Sequence, residues 1–155
     1  MFAAVAAVAG LRHGDEVFKA MIGLAGGTGH LTKGTCGCLA GAAAAISLAY
    51  NLDKGKVLKM LNDPKKLHPK DPRIPTVFQD IFDKVANVAR KVEDKYGGIT
   101  CADVQFKVYG RTINLLDPRL HREFCEAFSS YPVSCFDVEA DVAGWAVEEI
   151  LKIKN

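Results

Sequence analysis

The chain has 155 residues, 49% of them hydrophobic and 25% charged, enough to bury one substantial core and too apolar for a disordered chain. A formal net charge of +2 gives no electrostatic reason to expect nucleic acid or an acidic membrane as partner. No run approaches the roughly 20 consecutive apolar residues of a membrane span, so no transmembrane segment is expected. There is no internal repeat and no linker, and residues 1–155 read as a single helical domain.

The start, Met1 to Leu11, is apolar but lacks the positively charged leader of an export signal. It reads as a first helix over 2–9, ended by Gly10, and a cytoplasmic location is favoured; a periplasmic one would require a leader already removed. A second helix is expected over roughly 15–25, with Val17, Met21, Ile22, Leu24 and Ala25 on its apolar side. A glycine-rich loop, Gly26-Gly27-Thr28-Gly29-His30-Leu31-Thr32-Lys33-Gly34, follows.

The third helix, about 36–50, contains Leu39-Ala40-Gly41-Ala42-Ala43-Ala44-Ala45-Ile46. A helix nearly apolar all round belongs at the centre of a bundle, and its small side chains let a neighbour approach closely. Residues 53–73 read as a shorter helix and a proline-broken loop.

Between Pro75 and Tyr96 the apolar residues Phe78, Ile81, Phe82, Val85, Val88, Ala89, Val92 and Tyr96 recur at three and four. Pro75 suits the first helical position and Gly97-Gly98 supplies the stop. A short helix near 101–107 is followed by the irregular stretch Tyr109 to Asn114. Asp117-Pro118 opens a helix with Leu120, Phe124 and Phe128, and a last helix over about 135–153 turns Val138, Val142, Trp145, Ile150 and Leu151 inward. No alternating segments are numerous enough for a sheet. The expected class is all-α, a bundle of about six or seven helices.

Five cysteines are an odd number, and too few for a disulfide-stapled scaffold. Cys36 follows Thr35, Cys101 follows Thr100 and Cys135 follows Ser134, so each stands just after a good N-cap residue. Thr100 and Ser134 also have an acid three residues on, Asp103 and Asp137, in the manner of a capping box. A thiol in a first turn faces unpaired backbone N–H groups and the positive end of the helix dipole, which favour thiolate. Thiolate is the form that attacks disulfides and binds soft metals. Helix starts that share this grammar are expected to converge on one site.

Cys38, two residues beyond Cys36, makes a C-x-C pair suited to ligating one metal or cluster. Cys125 is expected in a helix interior beside Phe124, packed as a small hydrophobe. A structural zinc pattern is weak, because Cys101 and Cys135 are separated singles. The absence of C-x-x-C-H excludes haem attachment by that motif. Non-covalent haem would have to use His13, His30, His68 or His121. His30 stands out for its place in the glycine loop, although a loop histidine is by default solvated. The loop departs from G-x-x-x-x-G-K-[ST] and follows no strand, so it is expected to bring backbone close to whatever Cys36 touches. The lysine-rich stretch Lys54 to Arg73 reads as solvated surface, with docking of an acidic redox partner as the lesser reading.

Cys36-Gly37-Cys38-Leu39-Ala40-Gly41 resembles the C-G-A-x-x-G signature of the family of putative redox-active proteins named C_GCAxxG_C_C. Lys95 to Cys101 is similar to that family's second cysteine block, and Tyr109 to Pro118 to its intervening segment. Cys135 with Val138, Ala143, Trp145, Ile150 and Leu151 is similar to its final block. The stretch Gly41 to Leu48 also resembles the non-haem part of split-Soret cytochromes. The family carries a further cysteine upstream, which this chain begins too late for or has lost. Cys38 stands where the signature has Ala, and Cys125 is additional. The resemblance implies a redox role for Cys36, Cys101 and Cys135 without specifying a reaction.

Three functions follow as expectations. One is a redox-active protein in which Cys36, Cys101 and Cys135 carry thiol–disulfide or electron-transfer chemistry with a redox partner protein. Another is an electron-transfer module in which Cys36, Cys38, Cys101 and Cys135 hold an iron–sulfur cluster or other metal, with non-covalent haem behind it. The last is a structural helical subunit with idle cysteines. Whether the protein is an enzyme stays open. The apolar first helix leads us to expect a homo-oligomer, a dimer being the commonest form.

Overall fold

The computed structural model describes residues 5–6, 9–11, 15–126 and 132–153. Its helices are α1 (Asp15–Ile22), α2 (Gly37–Ala49), α3 (Lys54–Leu61), α4 (Thr76–Tyr96), α5 (Cys101–Tyr109), α6 (Pro118–Glu126) and α7 (Cys135–Leu151). The all-α class is as expected. One feature of the segment after α3 is not: a short 3-10 turn, Pro64–Lys66, leads into an antiparallel pair, β1 (Leu67–His68) and β2 (Asp71–Pro75). Strands this short carry too few residues for a period-two signal, and the prolines flanking Arg73 and Ile74 suit only an edge.

Helix α2 is the axis of the core. Leu39, Gly41, Ala42, Ala45 and Ile46 are its buried residues, and it packs on both α7 and α4. Its Ala and Gly faces leave room for Val88 and Val92 of α4 and for Val138, Val142, Ala146 and Ile150 of α7, all of which are fully buried. The long amphipathic helix forms as the spacing requires, with Ile81, Val88, Val92 and Tyr96 buried. Pro75 serves as its N-cap instead of its first residue, because it is still the end of β2, and Gly97 ends it at φ +81°. Phe82 and Leu151, both expected inside, are exposed. In α7 the inward positions are taken by Ala146 and by Glu149, whose carboxylate is bonded by Lys152 and Asn87.

Side chains on the outer edge tie α4 to α7. Lys95 and Tyr96 both bond Asp141, and Lys91 bonds Glu148 at 2.7 Å. Such exposed pairs add little energy individually, so the fold rests on the apolar seam between α2, α4 and α7. Helix 2–9 falls mostly outside the described residues; Val5 and Ala6 are helical and buried, and Gly10 follows at φ +63°. Phe128 also lies outside them. Among the described residues no helix is long and apolar enough to cross a membrane.

Because Ala45 is fully buried at this seam, Ala45→Leu is expected to overpack it and to lower stability by about 1–3 kcal/mol. Urea unfolding with an unchanged slope checks this.

Candidate functional site

Two helix starts are joined before either helix begins. Thr35 and Thr100 form an isolated antiparallel bridge. The Cys36 N–H donates to the Ile99 carbonyl at 2.8 Å, and the Cys101 N–H donates to the Gly34 carbonyl at 3.0 Å. In this register Cys36 and Cys101 lie on one face, diagonal to each other, with the threonines on the opposite face. Helices α2 and α5 therefore start side by side.

Cys135 arrives from the opposite end of α5. The Tyr109 hydroxyl oxygen accepts the Cys135 N–H at 3.0 Å, and the hydroxyl donates to the Cys135 sulfur. The Tyr109 ring is set edge-on against Phe124, with centroids 5.6 Å apart.

Cys36, Cys38, Cys101 and Cys135 line one cavity of about 390 Å³. His30, His121 and Glu139 also border it, with Phe18, Met21 and Ile22 of α1 on one side and Leu115 and Phe124 on another. The imidazoles of His30 and His121 are in contact, with centroids 5.2 Å apart. A cavity that is mainly apolar with a few converging polar groups is the usual form of a small-molecule site.

The thiols are not equivalent. Cys36 is itself the N-cap of α2, because the bridge holds Thr35 extended and keeps it out of that position. Its sulfur makes no capping hydrogen bond of ordinary geometry. The Cys38 S–H donates to it, however, and this is the main reason its pKa falls to about 7. Burial opposes the fall, and the N–H groups of Cys38 and Leu39 assist it. Cys38 is correspondingly held as a thiol, first by donating that hydrogen bond, then by burial and by the negative charge of Cys36 and Glu139.

Cys101 and Cys135 stand in the first turns of α5 and α7, and both capping boxes form as the sequence suggests. The expected lowering of their pKa does not occur. Burial pushes Cys101 up to about 12, aided by charge at Cys36 and Cys135, and burial likewise raises Cys135. Cys125 is exposed on α6, contrary to the packed interior position expected for it. None of the cysteines is paired in a disulfide.

Two supporting residues escaped the sequence reading. Gln105 is fully buried; its amide oxygen accepts the Ile113 N–H at 2.7 Å, which turns its NH₂ to the Cys101 sulfur at 3.4 Å. Cys101, Gln105 and Tyr109 follow one another at i, i+4 and i+8, so helical spacing from Cys101 was the signal that could have found both.

The glycine loop performs a backbone task. Gly26, Gly27, Thr28, Gly29 and His30 all have φ between +59° and +74°, a left-handed run, and Thr32 follows at +62°. A Cβ on Gly27 would stand 2.7 Å from the Cys101 Cβ and 2.8 Å from the Thr32 backbone. The loop thus lies directly against Cys101, with His30 half-buried at the cavity.

The family model described as "Putative redox-active protein (C_GCAxxG_C_C)" matches residues 1–149. The chain belongs to this family. No curated protein and no solved structure matches the chain.

Among the described residues no three His, Cys, Asp or Glu side chains are arranged to share a metal ion. Of the histidines considered for haem, His30 and His121 border the cavity, whereas His68 lies in β1 and accepts the Lys70 N–H. His13 lies outside the described residues.

Two substitutions test this arrangement. Gln105→Leu strands the buried Ile113 N–H and is expected to cost about 1–3 kcal/mol in urea unfolding. Gly27→Ala adds a clash to a left-handed position, and a loss of roughly 2 kcal/mol or more is expected.

Proposed function

We propose that the protein is a thiol–disulfide redox protein in which Cys36 is the attacking thiolate and Cys38 the thiol that supplies its proton. The observation that carries this reading is the Cys38 S–H bonded to the Cys36 sulfur at the start of α2, beside a cavity. A thiol with a pKa of about 7 is half ionised at neutral pH, whereas an ordinary thiol near 8.5 is a few per cent ionised. Nucleophilicity falls only partly as pKa falls, so an attacking thiol is best placed near ambient pH.

Attack by Cys36 on a disulfide gives a mixed disulfide and a leaving thiolate, which takes the Cys38 proton. Cys38, now ionised, attacks the Cys36 sulfur, and the second thiol of the substrate departs. Two electrons have passed from the C-x-C pair to the substrate, and a Cys36–Cys38 disulfide remains. Bridged across one intervening residue, it is strained and easily reduced. Cys101 and Cys135 stay protonated at neutral pH in this scheme, their ionisation opposed first by burial and then by the charge on Cys36.

The sign of the pH dependence follows from a lowered acid pKa. Alkylation of Cys36 in the reduced protein is expected to rise with pH through about 7 and to level off above it, read by peptide mapping over a pH series. Cys38→Ala removes the main stabilising donor and is expected to move that midpoint up by about one pH unit, while Cys36→Ser removes the reaction. A wild-type Cys36 midpoint at or above about 8.5 would sink the proposal.

A further inference from the structure

The chemistry of Cys36 and Cys38 supplies one proton and needs two. Cys36 reacts as a thiolate, and Cys38 gives its proton to the first thiolate that leaves. The second leaves with none to take, so a further group beside the pair has to provide it if two neutral thiols are to form.

Of the titratable groups that border the cavity, Cys101 and Cys135 are poor sources, because burial opposes their ionisation. Glu139 acts on Cys38 as a negative charge and so brings no proton. The lining from α1 is apolar, and that from α6 is apolar apart from His121. His30 and His121 are left, and histidine is the side chain that ordinarily exchanges a proton near neutral pH.

The glycine loop brings His30 to the C-x-C pair. Gly37, between the two cysteines, lies against the loop backbone: a Cβ there would stand 3.4 Å from the Ala25 Cα and 3.6 Å from the Gly26 nitrogen. The His30 ring folds back on the same Gly26, where a Cβ would meet the ring Cδ2 at 2.6 Å. One glycine therefore separates the imidazole from Gly37, and a residue with a Cβ would leave the ring no room. The His30 N–H bonds the Ala25 carbonyl at 3.1 Å, its backbone is held at φ +63°, and its ring rests on that of His121. A left-handed residue with a Cβ beside a candidate reactive pair is the kind of strain that a site holds for a purpose.

We propose that His30 is the second proton donor of this site, an inference that rests on the reading of Cys36 as nucleophile. Cys36 bonds one sulfur of the substrate as the substrate S–S bond breaks, and the first thiolate takes the Cys38 proton. Cys38 then attacks the Cys36 sulfur, the mixed disulfide breaks, and the departing thiolate takes the proton of the His30 imidazolium. The C-x-C pair has lost two electrons, the substrate has gained two electrons and two protons, and His30 recovers its proton from water.

The test uses disulfides that differ in their need for that proton. Reduced protein is mixed in single turnover with bis(2-hydroxyethyl) disulfide, whose alkyl thiolate leaves poorly, and with dipyridyl disulfide, whose aromatic thiolate leaves readily. Acid-quenched samples are weighed for the mixed disulfide on Cys36 and for the Cys36–Cys38 disulfide that replaces it. His30→Asn keeps a side chain that tolerates the left-handed backbone but cannot protonate a thiolate. It is expected to leave the first step unchanged and to slow the second release about tenfold or more for the hydroxyethyl compound alone. Added imidazole is expected to restore that release.

An unchanged second release of the hydroxyethyl thiol would overturn the inference and make water the source. Equal slowing for both disulfides, or slowing that imidazole does not relieve, would also overturn it and leave His30 a structural part of the loop. His30→Gln repeats the comparison should the asparagine variant lose its fold in urea unfolding. Failure of wild-type Cys36 to form either mixed disulfide would instead remove the nucleophile reading itself.

Discussion

The site depends on the bridge between Thr35 and Thr100. It is a pair of strand-like residues without a sheet, yet it fixes where two helices begin. The bonds from Cys36 N–H to Ile99 and from Cys101 N–H to Gly34 set the register of two segments far apart in sequence. A slip of one residue would move either cysteine to the opposite face, because side chains alternate along an extended segment. The cavity, the placement of Cys101 against Gly27 and the closeness of α2 to α5 all follow from this register.

Beside the Cys38 S–H at Cys36 and burial at Cys101 and Cys135, the bridge contributes to the different acidities of thiols with similar surroundings in the sequence. A helix start offers a limited set of unpaired N–H groups, and a cap and a thiolate compete for them. At α5 the N–H groups of Cys101, Ala102 and Asp103 go to Gly34, Thr32 and the Thr100 hydroxyl. At α7 those of Cys135 and Phe136 go to the Tyr109 and Ser134 hydroxyls, and that of Asp137 to the Ser134 carbonyl. Burial then dominates, and those thiols are raised. At α2 the Cys38 S–H is the main group that favours the Cys36 anion against burial, and because no hydroxyl caps the helix the N–H groups of Cys38 and Leu39 are left to assist it. The cap-then-cysteine grammar located the starts of α5 and α7, set that of α2 one residue early, and was a poor guide to acidity, since a good cap removes donors that a thiolate can use.

How much was legible follows the same division between local and non-local causes. The α4 stripe from Ile81 to Tyr96, the Gly97 stop, the small-residue axis of α2 and the capping boxes at Thr100 and Ser134 depend on neighbours within a turn or two, and they formed as the pattern indicates. The C-x-C signature and the later cysteine blocks were enough to indicate the family. Thr35 as a bridge residue and the exposure of Cys125 and Leu151 are set by tertiary partners, and no local spacing encodes those. The short β1–β2 pair, in contact with α3 and α4, is too short to show a period of two in the sequence.

The left-handed run in the glycine loop shows what the site costs the fold. A left-handed conformation costs a residue with a Cβ about 1–2 kcal/mol, and Thr28, His30 and Thr32 all adopt it. Threonine is the least suited, because its branched Cβ crowds the backbone. The conformation persists because the loop makes bonds that an ordinary turn would not. The Gly29, Thr32 and Gly34 N–H groups reach back to the Gly23, Gly26 and Gly27 carbonyls, and the Thr32 and Gly34 carbonyls accept from the first turn of α5. The loop therefore substitutes for solvent at the start of α5, which lets that start be buried beside the cavity. Strain concentrated beside a candidate reactive centre, and offset by bonds that assemble it, is what a site-forming loop requires.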